Sequence, residues 1–184
     1  FTRNGAEFDG VDDYLDLTPW EFGGASFTVE AYVKYDSFNN WSSIFYFGDE
    51  PDWNYNTTFL TNRTTEGRAR FQLYRNDVYH ETYGYSQSLA ETASSIWDAG
   101  SWTHVVVTTS NTEIIFYKNG VVYESATREP ENPIMTRANH YIGKSDMISS
   151  NNFGYFDGTI AYLRFWHGTT LTPTEIALLY AHRE

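Results

Sequence analysis

Short alternating runs separated by turn residues dominate the chain. In SFTVEAYVKY (26–35), Phe27, Val29, Ala31 and Val33 share one face and Thr28, Glu30, Tyr32 and Lys34 the other. A period of two with one apolar face marks a half-buried antiparallel strand. SWTHVVVTT (101–109) is apolar on both faces, which predicts a central strand. It runs into EIIFYKNGVVYES, where Asn119-Gly120 divides two alternating runs, a strong hairpin signal. Weaker strands are predicted over 42–48, 57–62, 68–75, 78–85, 139–144 and 156–167. This spacing predicts an all-β sandwich of antiparallel sheets.

One helix is predicted. In LTPTEIALLYAH, Thr172 stands as N-cap, Pro173 at the first helical position and Glu175 three residues past the cap, a capping box with a proline start. Ile176, Leu179 and Tyr180 form its apolar face. So short a helix at the end of a β protein is expected to plug the sandwich edge.

Composition changes this picture in two ways. Aromatics make up 18% of 184 residues, with 15 Tyr, 13 Phe and 6 Trp. They favour strands, and their number predicts that some rings work at the surface. The formal net charge of -12 argues against nucleic acid as a partner and against attraction to an anionic membrane, since both need clustered Lys and Arg. No apolar run is long enough to predict a spanning helix. Without cysteine there is neither a disulfide framework nor a thiolate metal site. The length fits one domain spanning 1–184, and the opening FTRNGAEF reads as a mature fragment or a domain cut from something longer.

Five segments taken in order carry a family resemblance: FDGVDDYLDL (8–17) with FTVEAYVK (27–34), WTHVVVT (102–108), FYKNGVVY (116–123), HYIGK (140–144) and FDGTIAYLRFWHGTTLTPTEIALLY (156–180). Together they resemble the laminin-G-like branch of the concanavalin A-like lectin/glucanase superfamily, over nearly the whole chain. The resemblance implies a jelly roll with its first and last strands paired. It implies Trp102, Phe27, Phe116 and Phe156 as core. The family's last strand commonly carries an acidic pair where this chain has Ala161 and Tyr162.

Three chemistries are candidates. Asp9, Asp12 and Asp13 around Gly10, with Asp157 on the strand expected to pair nearby, offer the oxygens that calcium takes; related domains often carry calcium on the sandwich rim. The same aspartates also suit plain turns. For a glycan or polysaccharide, Trp41, Trp53, Tyr55, Tyr74, Tyr79, Tyr83 and Trp97 lie in polar surroundings. Rings cover the C–H face of a pyranose and neighbouring amides and carboxylates bond its hydroxyls. Trp53 and Trp97, with loop-like neighbours, are the favoured contacts. Glycoside hydrolysis needs two placed carboxyls, and no alternating acidic run supplies them: Glu30 stands alone on its strand. His104 reads as a structural histidine. Sequons at Asn40, Asn56 and Asn62 would lie on exposed loops of a secreted eukaryotic protein.

The reading that follows is a non-catalytic, lectin-like carbohydrate-binding module with calcium, in an extracellular, cell-surface or virion-associated setting. The alternatives are a calcium-associated adhesion module with a protein partner, and a polysaccharide hydrolase or lyase on the same scaffold.

Overall fold

The computed structural model of the chain describes residues 5–49, 56–76, 85–128, 133–146 and 153–183, with backbone alone for 74–76 and 85–89. The elements in chain order are β1 (Ala6–Asp9), β2 (Leu15–Leu17), β3 (Glu21–Phe22), β4 (Phe27–Ser37), β5 (Ser43–Gly48), β6 (Thr58–Arg63) and β7 (Arg68–Asn76). There follow β8 (Tyr85–Glu91), β9 (Trp102–Thr109), β10 (Glu113–Lys118), β11 (Val121–Thr127), β12 (Met135–Thr136), β13 (Asn139–Ile142), β14 (Asp157–His167) and α1 (Pro173–Ala181). Two six-stranded sheets, ordered β1-β14-β4-β9-β10-β11 and β2-β13-β5-β6-β7-β8, pack face to face as a jelly-roll sandwich. The pairings within them are antiparallel, and β12 pairs with β3 as a separate ribbon.

The core is the alternation made physical. Phe27, Val29, Ala31 and Val33 are buried between the layers, facing Phe45, Phe47, Leu60 and Phe71 of the other sheet. Central β9 lies between β4 and β10, as its two apolar faces predict. Its inner Val105 and Val107 join the main core, while its outer Val106 joins Tyr117, Leu171 and Ile176 in a second cluster beneath α1. The β10–β11 turn has φ of 52° at Asn119 and 80° at Gly120, the doubly positive turn that suits the twist of a hairpin. First and last strands pair, with Asp9 opposite Asp157.

Two expectations are corrected, and a third falls mostly outside the described residues. The helix does not plug the sandwich edge: it lies on the outer face of the first sheet, because Ile176 buries against Val106 and Tyr117. Trp102 is not core: it is half-buried on that outer face, stacked on Tyr32 with centroids 4.9 Å apart. The strand expected over 78–85 falls largely outside the described residues, and β8 begins at Tyr85.

Candidate functional site: a ring-bearing sheet face beside an acidic rim

The second sheet turns a cross-strand row of side chains away from the core. Register places Asp16 opposite Tyr141, Tyr141 opposite Tyr46, Tyr46 opposite Phe59 and Phe59 opposite Gln72. Tyr46 and Phe59 are buried, their rings stacked with centroids 6.2 Å apart, and half-buried Tyr141 and Phe153 pack against them. At one end of the row Tyr14, 43% exposed, meets Tyr141 edge-on at 5.8 Å, and Lys144 Nζ lies 3.6 and 4.0 Å from the two ring centres.

Polar groups lie among these rings. The Tyr141 hydroxyl donates to Asn139 Oδ1 at 3.3 Å, and Asn139 Nδ2 donates to Asp146 Oδ2 at 2.7 Å. Burial, helped by the carboxylates of Asp146 and Asp16, pushes the Tyr141 hydroxyl up to about 12. Burial likewise raises Asp146.

Trp41 stands on the same side of the molecule, half-buried, with the Arg70 guanidinium 5.1 Å from its ring centre and Phe153 at 5.9 Å. Its backbone is left-handed, with φ of 54°. A bulky residue rarely adopts this conformation, and such positions cluster at binding sites.

Register also brings together strand ends that the sequence leaves far apart. Gly48, Thr58, Asn76, Tyr85 and Asn139 share one end of this sheet. Trp53, Tyr55, Tyr79 and Tyr83 lie outside the described residues. Tyr74 sits in β7 by its backbone.

Trp97 must be withdrawn as a ligand contact. It is 1% exposed and packs on Tyr35 at 5.3 Å. The reason is local: the amides of Ile96 and Trp97 both donate to Gly67 O at 3.0 Å, which folds this loop into the sandwich with both side chains inward. A polar neighbourhood in sequence did not mean a wet one in space. Among the described residues whose side chains are placed, Tyr14 is the one exposed Tyr, Phe or Trp ring, and the others are buried or half-buried.

The acidic cluster does assemble. Carboxylate oxygens of Asp9, Asp12 and Asp13 lie within 4.8 Å of one another, and all three residues are exposed. Asp9 Oδ1 accepts the amides of Val11 at 2.8 Å and Asp12 at 3.2 Å, and these backbone hydrogen bonds hold its carboxyl below the usual range. Asp13 Oδ2 accepts the Asp9 amide at 3.1 Å. Gly10 is required in the loop: φ is 73°, and a Cβ there would meet the Asp157 side chain at 2.7 Å. Asp157 accepts a hydrogen bond from Ser37 Oγ and joins Asp9, Asp13 and Asp36 around a cleft of about 480 Å³ that also includes Lys34. Hard carboxylate oxygens are the donors that calcium selects, so the residues fit that ion.

A further polar group was missed by sequence reasoning. Glu30, wholly buried, accepts from His104 Nε2 at 2.8 Å, Arg164 Nη1 at 3.2 Å and the Tyr162 hydroxyl at 3.3 Å. Burial and then Glu30 raise the Tyr162 hydroxyl. Beside it Tyr32 lies between the rings of Trp102 and Tyr162, with Lys34 over Trp102 and Arg164 over Tyr162. This stack occupies its own ring faces, so it reads as structure. His104 is the structural histidine expected. The three sequons are not alike: Asn62 is buried, with its amide donating to Asn39 O and Thr64 O, so it does not lie on an exposed loop.

A jelly roll of this strand order defines the concanavalin A-like class. A family model described as the concanavalin A-like lectin/glucanases superfamily, of laminin-G type, matches residues 9–177, and the chain belongs to that family. Domain 4 of the extracellular GH43 arabinanase AbnA from Geobacillus stearothermophilus, in complex with arabinotriose, is similar with a TM-score of 0.68 and 19% identity, over 96% of this chain and 76% of that one. The CBM40 of the Ruminococcus gnavus IT-sialidase, bound to α2,3 sialyllactose, gives 0.68 and 15%, over 97% of both chains. The native heptameric SAP-like pentraxin of Limulus polyphemus gives 0.65 and 16%, over 95% of this chain and 80% of that one. At these identities the likeness concerns the fold. No curated protein matches the chain in sequence.

Proposed function

We propose that the chain is a non-catalytic carbohydrate-binding module that takes its glycan on the outer face of the second sheet. One observation carries this reading: Tyr14, Tyr141 and Trp41 stand at least partly in solvent on that face, with Asn139, Asp146 and Arg70 within the same surface. Rings cover the apolar face of a sugar while amide, carboxylate and guanidinium bond its rim. The sugar complexes of the arabinanase domain and the CBM40 support the same class of ligand for this fold, and the extracellular arabinanase to which domain 4 belongs supports an extracellular setting. Asp9, Asp12, Asp13 and Asp157 would hold a calcium ion at the rim, where it would add a hard Lewis-acidic charge able to order the loop.

Binding is measured on a glycan array and by calorimetry with Trp41→Ala and Tyr141→Ala. Each substitution is expected to weaken the best glycan by about tenfold, the scale of one lost stacking contact. Unchanged affinity in both folded variants, or no glycan bound at all, would refute this surface.

An adhesion module with a protein partner is the second reading. It is favoured by β11, an edge strand on which Val121 and Val122 are 68% and 53% exposed. The enzyme reading is the weaker one because the sequence has no alternating acidic run to present two facing carboxyls on a strand, and the buried Glu30 carboxylate is already taken up by His104, Tyr162 and Arg164. Turnover on a polysaccharide panel would reverse that judgement.

A further inference from the structure

An apolar slot of about 350 Å³ opens between the two sheets where edge strands β1 and β2 face each other. Its walls include Ala6 and Phe8 of β1, Leu15 and Leu17 of β2, Trp20 and Ile142. The remainder comes from β14, including Ala161 and Tyr162 at a register irregularity in the pairing with β4. Sandwich interiors are normally filled to the density of organic crystals. Here the walls are short strands of four and three residues, and two of the lining side chains are alanines. The volume falls within the range of small-ligand pockets, about 300–1,000 Å³.

Charge limits what can enter. None of the lining residues carries a charge. Strand alternation turns Glu7, Asp9 and Asp16 outward beside the slot, all exposed, on a chain with a formal net charge of -12. An anionic head group carried into the slot would find no cation among its walls, on a chain whose net charge already repels anions. A buried charge without a partner is costly.

We infer that this slot binds a slim apolar small molecule with a neutral or cationic head, of the size of one fused aromatic ring system or a short alkyl chain, and discriminates against anions. The site is separate from the glycan surface, on the inner faces of the sheets and not the outer one, so the two readings stand or fall independently.

The test uses two dyes with the same rings: neutral N-phenylnaphthylamine and its anionic counterpart anilinonaphthalene sulfonate, each titrated against the full chain. The neutral dye is expected to bind saturably at one site and at least about tenfold tighter than the sulfonate, because only the latter must bring a charge into the slot. Energy transfer from tryptophan to the neutral dye, read per bound dye at saturation, should fall in Trp20→Phe whatever the affinity of that variant, which places the dye beside this wall of the slot without any cavity-filling change. Ala6→Leu and Ala161→Leu should each weaken the neutral dye by about tenfold by occupying its space, with circular dichroism verifying the fold. Non-saturable binding, equal affinity for both dyes, transfer indifferent to Trp20, or unchanged affinity in both filled variants would overturn the inference. So would a concentration-dependent dimer, seen by sedimentation, that expels the dye, since it would assign the slot to a second copy of the chain.

Discussion

His140 shows how far a single side chain can depart from its ordinary behaviour here. Its ring is wholly buried, stacked on Phe47 at 4.0 Å and edge-on to Trp20 at 4.4 Å. Burial, reinforced by the nearby Arg137 cation and opposed by Asp49, lowers it from 6.5 to about 4. Between those two values the unfolded chain binds a proton and the folded chain does not. Stability therefore falls as pH drops through that window and is unaffected by this group above it. We expect His140→Phe to remove about 2 kcal/mol of the loss that the native chain suffers between neutral pH and about 4.5. Urea midpoints of both proteins at the two pH values measure it, and parallel losses would disprove it. The buried Glu30 teaches a related lesson. Its partners His104, Tyr162 and Arg164 lie at least 74 residues away in sequence. No one-dimensional pattern announces that pairing.

Among the elements, α1 is the one whose local sequence says most about its own ends. Thr172 Oγ1 accepts the Glu175 amide at 3.3 Å, and Glu175 Oε2 accepts the Thr172 amide at 2.7 Å, completing the reciprocal box. Thr172→Ala should cost about 1 kcal/mol and lower the melting temperature by about 2–4 °C for a chain of this length. Calorimetry checks it; a melting point unmoved within error would mean that tertiary contacts alone hold the helix start. Where the helix lies was a different matter. Its apolar face needed a partner, and the second apolar face of β9 signalled that Val106 would be covered, but nothing local said that α1 would cover it. The strands behaved similarly: β4, β9 and the β10–β11 hairpin were legible from period and turn chemistry, whereas β2, β3 and β12, of two or three residues, are too short to carry a period.

For the molecule as a whole, the acidic rim makes a prediction about folding. An ion bound only by the native state raises its stability by mass action. Calcium should therefore raise the melting temperature of the chain, a chelator should reverse the rise, and Asp9→Asn with Asp13→Asn should abolish it. A melting temperature indifferent to calcium and chelator would leave these aspartates as turn formers, the role that the Asp9 hydrogen bonds to Val11 and Asp12 already give one of them.

Period-two runs, the Asn119-Gly120 turn and the Thr172 cap were readable without coordinates, because each depends on residues within a few positions of one another. The cluster of Asp9, Asp12 and Asp13 belongs to the same short-range class, whereas the approach of Asp157 to Gly10 does not. Solvent exposure of the rings did not: Trp97 is swallowed, Trp102 is turned outward onto Tyr32, and Asn62 is sealed into β6. Exposure depends on which distant segment folds over a position, and strand register across the sandwich settles that. The same holds for the apolar slot, which exists because two edge strands some six residues apart in the chain belong to different sheets.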